Sequence, residues 1–284
     1  MKNRFFKKIV ITIPTVFIVM HLLKKAMFFF LDNAKLQDNI FLFKSIHETI
    51  GIFILLFLIQ QEKFLNWSSV FRNNILCIVI ASVIIYFSLS HTFQIIQESK
   101  SVVSSFNHIT YLLLCISVGF LEEFFFRILI FGYVCYSFNN YSSNLKKNYY
   151  KEIIITSLLF ALAHLTNIFN SDYDYVSVIN QIMIAFLLGI VLQSIFIRFN
   201  NIWFNAILHG MINYNGEVSN ELIKIKDTVS DTDNSTNIFQ TLITVLIFSA
   251  ILFPICYLLI KKKKNMIMET VDNKNFIFKH INEL

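Results

Sequence analysis

The sequence predicts an all-α membrane protein, a polytopic bundle of about eight transmembrane helices. Of its 284 residues 56% are hydrophobic and 15% charged, and the mean hydropathy is +0.61, well beyond what a water-soluble domain needs to fill a core. Apolar runs recur at lengths able to cross a hydrocarbon layer of roughly 30 Å, about 20 helical residues each. Only six glycines and two prolines are available to break them, and in lipid a chain closes its backbone hydrogen bonds as helix.

Eight segments follow in order. Residues 9–30 come after a basic start, MKNRFFKK, as the core of a secretory leader would. No small-x-small cleavage site follows, so this is read as a retained first span. Residues 40–59 and 71–89 are the second and third; Lys24, Lys25 and Lys44 blemish the first two. The fourth, 109–138, is long enough to tilt or protrude. The fifth and sixth are 153–169 and 176–199. The seventh, 202–214, is short, so it is inclined, sheltered by neighbours, or extended by polar residues at one end. The eighth is 238–260. No internal repeat is visible.

Basic residues orient the bundle. With the N-terminus inside, the cytoplasmic segments hold sixteen lysines and arginines, the outer ends hold seven, and Arg127 alone lies within a span. Both termini are therefore expected in the cytoplasm, 261–284 forming a basic tail. The same distribution accounts for the formal net charge of +6 without any nucleic-acid partner. Cys77, Cys115, Cys135 and Cys256 all sit in apolar runs with no CxxC spacing, which argues against disulfides and thiolate zinc sites. Nothing outside the bilayer is large enough for a separate soluble domain.

Chemistry must then come from polar residues inside the spans. An ionised side chain at mid-bilayer costs about 2.5 to more than 10 kcal/mol, so such residues face protein or water and mark function. GFLEEFFFR places Glu122, Glu123 and Arg127 in the fourth span. Glu123 and Arg127, four apart, can pair along one helix face, whereas Glu122 is rotated by about 100° and should look elsewhere. LLFALAHLTN carries His164 in the fifth span, and NAILHGMINYN carries His209 and Asn213 one turn apart in the seventh. At about 1.5 Å per residue, His164 lies roughly 20 Å from Lys151, Asn213 roughly 18 Å from Asn201, His209 roughly 12 Å from Asn201, and Glu122 about 24 Å from Phe138. The four groups can meet near mid-membrane. A lone buried histidine is more often a hydrogen-bonded core residue, and a Glu–Arg pair is often structural. Their combination reverses those odds, because each accident would carry its own burial cost.

Other motifs fall away. HETIG begins like a zinc-protease helix at His47–Glu48, but Gly51 stands where the second histidine belongs. No GxSxG elbow, P-loop or dinucleotide fingerprint is present. His21, His91, His108 and His280 lie near span ends or in the tail.

The ordered set EEFFFR (Glu122 to Arg127), FALAH (Phe160 to His164) and HGMIN (His209 to Asn213) resembles the CPBP family, the CAAX-processing and bacteriocin-processing intramembrane endopeptidases of Ras-converting-enzyme type. FLLGIVLQ, Phe186 to Gln193, resembles a further glycine-bearing helix motif of that family, with Gln193 where a second small residue is often found. The resemblance divides the chain into 1–105 with three helices and no diagnostic motif, a catalytic core over 106–260, and the tail. It implies a membrane-embedded active site that cleaves hydrophobic, lipidated or membrane-tethered peptides, in peptide maturation, bacteriocin immunity or CAAX-like processing.

In the mechanism then expected, Glu122 and His164 hold a water and Glu122 removes its proton. Arg127 pairs with Glu123, and His209 with Asn213 stabilises the oxyanion. A zinc ion on Glu122, His164 and His209 is the other option. It stays unassigned, as do the exact substrate and the oligomeric state. The rival from another class is a non-catalytic scaffold or immunity protein that binds a peptide or membrane partner through the same cluster. A transporter is disfavoured, since neither inverted repeats nor paired broken helices appear.

Overall fold

A computed structural model describes residues 40–61, 105–139, 145–169 and 175–224, with scattered positions near 18–25, 75–90 and 254–258. The first, third and eighth predicted spans lie outside the described residues, apart from those scattered positions. Every described element is helical: α1 (Ile40–Gln61), α2 (Ser105–Glu123), a π-helix (Phe124–Ile130), α3 (Phe131–Asn139), α4 (Leu145–Ala163), a 3₁₀ helix (His164–Phe169), α5 (Tyr175–Phe199) and α6 (Ile202–Lys224). Among the described residues, three stretches are long and apolar enough to cross a membrane: Ile40–Phe57, Tyr150–Phe169 and Tyr175–Phe199. This is a membrane protein by the character of its helices.

The predicted spans locate these helices but not their ends. Hydropathy marks the bilayer, whereas helix winding continues wherever propensity allows. Thus α4 starts at Leu145, eight residues before its apolar stretch, in the helix-permissive LKKNYYKE. Likewise α6 runs 23 residues to Lys224. Of the three alternatives for the short seventh span, this is extension by polar residues, through NGEVSNELIK.

The described residues divide into two compact units. The first holds α1, α2 with Phe124 and Phe125, and α6 from Ala206 onward; the second runs from Phe126 to Asn205.

In the first unit α1 packs on α2. Phe41 meets Tyr111 edge-on at 5.0 Å between ring centroids, and Tyr111 meets Tyr214 of α6 at 5.8 Å. With Cys115 these form a buried cluster. A short step along the same seam α2 and α6 come into backbone contact. A Cβ built on Gly119 would stand 2.6 Å from the Ala206 carbonyl oxygen and 2.7 Å from the Gly210 nitrogen. One built on Gly210 would stand 2.8 Å from Ile116 Cα. Small residues permit such approach between membrane helices.

In the second unit α4 and α5 pack together through Gly189, whose added Cβ would lie 3.0 Å from Ser157 Cβ and 3.2 Å from Phe160. Gln193, one turn further on, is fully buried, so the close approach rests on a single glycine. Asn167 donates to Gln181 Oε1 at 2.7 Å and ties the 3₁₀ turn to α5. Two asparagines make the corner between α5 and α6. Asn200 adopts φ 54° and returns its N–H to the Phe196 carbonyl at 2.7 Å, ending α5 in the left-handed conformation asparagine tolerates. Asn201 Oδ1 then accepts from Phe204 N–H at 3.0 Å, a side-chain cap on the first turn of α6. Asn205 donates to the Leu192 carbonyl at 3.0 Å and fastens α6 to α5.

Candidate active site

Glu122 and Glu123 close the last turn of α2, where the winding widens into the π-helix. Such wide turns are rare and recur at functional sites. Across the glycine contact, α6 carries His209 immediately before Gly210. The imidazole enters between the two carboxylates: Nδ1 lies 3.0 Å from Glu123 Oε1 and Nε2 lies 3.5 Å from Glu122 Oε2.

The two contacts differ in kind. Glu123 has no exposed surface and its distance is that of a direct N–H···O hydrogen bond. Glu122 keeps 28% of its side chain accessible, and its separation is long for a direct hydrogen bond. The histidine side chain is 3% exposed. Adjacent in sequence, the two glutamates thus serve one anchored contact and one accessible one.

The expectation that Glu122 and Glu123 face different partners is corrected by this arrangement. Backbone contact at Gly119 and Gly210 brings the ring so close to the helix end that it reaches both. Sequence reasoning missed Glu123–His209 because Arg127, four residues on, offered a nearer partner for Glu123. Only the histidine's isolation among apolar neighbours could have signalled the longer-range pair.

Arg127 and His164 belong to the second unit. The Arg127 guanidinium carbon stands 5.0 Å above the Phe160 ring, a cation–π geometry. Phe160 also receives Phe126 edge-on at 5.1 Å and His164 edge-on at 5.2 Å. His164 opens the 3₁₀ turn, where the fifth span was expected to continue as α-helix. Its Nδ1 lies 3.1 Å from the Phe160 carbonyl oxygen. A carbonyl only accepts, so Nδ1 carries the proton, and in the neutral ring Nε2 is left as the acceptor. Asn213 lies one turn after His209 on α6 and is half-buried.

Among the described residues, no group of three or more His, Cys, Asp or Glu side chains is gathered as metal ligands. The chemistry of part of the set nevertheless fits a cation. Glu122 and His209 Nε2 supply an oxygen and a nitrogen, and Glu123 on Nδ1 has the form of the outer carboxylate that orients a metal-bound imidazole. In the second unit, His164 Nε2 has the tautomer a metal would need.

Residues 104–215 match the family model described as type II CAAX prenyl endopeptidase, Rce1-like. That segment includes all six candidates: Glu122, Glu123, Arg127, His164, His209 and Asn213. No curated protein and no solved structure gives a significant match to the chain.

Proposed function

We propose that the protein is an intramembrane endopeptidase that hydrolyses hydrophobic, lipidated or membrane-tethered peptides. The observation that carries this reading is the split between adjacent carboxylates. One is sealed and locked to His209, and the other is accessible beside the same ring. The Rce1-like match over residues 104–215 supports the reaction class.

Peptide hydrolysis needs an activated water, a donor for the oxyanion and a proton for the leaving amine. Glu122, the accessible group, is the proposed base: it takes the water's proton and returns it to the amine. His164, from the sequence pattern, is the second group proposed to hold that water, with Nε2 as its acceptor. Glu123 accepts from Nδ1–H of His209 and so fixes the ring. In its imidazolium form His209 would also donate from Nε2, which lies 3.5 Å from Glu122, to the carbonyl oxygen as negative charge develops. Asn213 adds a second donor. Arg127 is proposed to balance the charge of Glu123.

A zinc ion, if bound, would be held by Glu122, His164 and His209 and would supply Lewis acidity and a more acidic water. The proposed setting is the cell membrane, crossed several times, with both termini cytoplasmic and the catalytic core within 106–260. Peptide maturation, bacteriocin immunity and CAAX-like processing are the proposed roles.

The test uses full-length protein in lipid vesicles with a mixture of membrane-anchored peptides, and new termini are read by mass spectrometry. Cleavage that disappears in folded Glu122→Gln supports the reading. Peptide binding with no Glu122-dependent cleavage would instead identify a non-catalytic scaffold.

A further inference from the structure

We infer that Gly119 and Gly210 are positioning residues, and that their crossing sets the distance at which His209 meets Glu122 and Glu123. The inference rests on the proposed role of that trio. Its geometric half can be tested without any substrate.

The crossing lies within one turn of the trio on both helices. Gly119 is four residues before Glu123 on α2, and Gly210 follows His209 on α6. The atoms a Cβ would strike are backbone: the Ala206 carbonyl oxygen at 2.6 Å and the Gly210 nitrogen at 2.7 Å from position 119, and Ile116 Cα at 2.8 Å with the Cys115 carbonyl oxygen at 3.0 Å from position 210. No side-chain rotamer can relieve these contacts, so any larger residue must move one helix away from the other. Both glycines have ordinary negative φ, so conformational freedom is not the reason for their presence.

The trio tolerates little of that movement. The 3.0 Å bond between His209 Nδ1 and Glu123 Oε1 stops being a hydrogen bond by about 3.6 Å. The Glu122 contact is already 3.5 Å. A shift that the aromatic cluster of Phe41, Tyr111 and Tyr214 absorbs by repacking would therefore break the carboxylate–imidazole pairing. Glycine weakens a helix interior relative to alanine, so both positions trade local helix stability for proximity.

The experiment compares Gly119→Ala and Gly210→Ala with Phe41→Leu, a packing change in the same unit remote from the trio. Protein labelled with nitrogen-15 in its histidine rings is assigned using His209→Asn, and the His209 Nδ1–H resonance reports the bond to Glu123. In parallel, kcat and KM are measured on one cleaved peptide and normalised to folded protein. Both alanine variants should lose the low-field resonance and lower kcat about tenfold or more, as small misplacements do. KM should stay within about twofold. Phe41→Leu should melt earlier with resonance and kcat intact.

Retention of both signals in the alanine variants, or equal loss in Phe41→Leu, overturns the inference. If neither alanine variant folds, Ala206→Ser gives the decision. It lies one turn before Gly210 on the same helix face, and a folded variant with unchanged resonance likewise overturns it. If the wild-type protein cleaves nothing, the endopeptidase reading fails while the resonance still decides the geometry.

Discussion

Glu123 and His209, 86 residues apart in sequence, are joined by a 3.0 Å bond in which a carboxylate with no exposed surface holds one nitrogen of a buried imidazole. The other nitrogen faces Glu122. Removing either end leaves the other in a setting it cannot occupy comfortably.

Glu123→Ala is therefore expected to destabilise the protein by about 1–3 kcal/mol, the range for removing one partner of a buried hydrogen bond. Glu123→Gln, whose amide oxygen can still accept from Nδ1–H, should destabilise by less. Thermal unfolding in one detergent, both variants beside wild type, checks the order. Equal stability of all three would show that the bond contributes nothing.

Asn213→Ala should lower kcat by about 100- to 1000-fold with little change in KM, as expected when a donor to developing negative charge is removed. Steady-state kinetics on a cleaved membrane peptide provides the measurement. A change confined to KM would place Asn213 in substrate binding instead.

The guanidinium of Arg127 lies over Phe160, so the two substitutions should be coupled. Arg127→Lys keeps the charge but loses the planar stack. Phe160→Leu keeps burial but loses the ring. A double-mutant cycle on unfolding free energy should return a coupling of about 0.5–2 kcal/mol, and additive effects would deny the cation–π contact.

Protein freed of metals, with that state verified by elemental analysis, should retain its cleavage rate if Glu122 alone activates the water. Loss of activity restored by added zinc would transfer that role to an ion on Glu122, His164 and His209.

Hydropathy and spacing made the helices of the described residues legible, together with the polar side chains that do not belong in lipid. They also made FALAH and HGMIN legible as companions of EEFFFR. The pairing within the trio was not, because it depends on how closely two helices approach. That distance is set by Gly119, an unremarked residue in an apolar run, and by the glycine of HGMIN. The π-turn after Glu123 was hidden for a related reason. Phe124 to Ile130 has the composition of any buried helix and carries no local signal for wider winding. The tight turn at His164 was missed, and the extension of α6 stood as one of three alternatives, because hydropathy reports the solvent of a segment and carries no signal about winding.

Two identical residues side by side thus inhabit different chemical worlds. A reagent that couples to carboxyl groups, such as a carbodiimide, would meet accessible surface on Glu122 and none on Glu123. Shortening the first by a methylene withdraws a reactive group, whereas the same change in the second dislodges a neighbour's ring. Adjacent codons for one amino acid are consequently under unlike constraints, one set by reactivity and the other by fit.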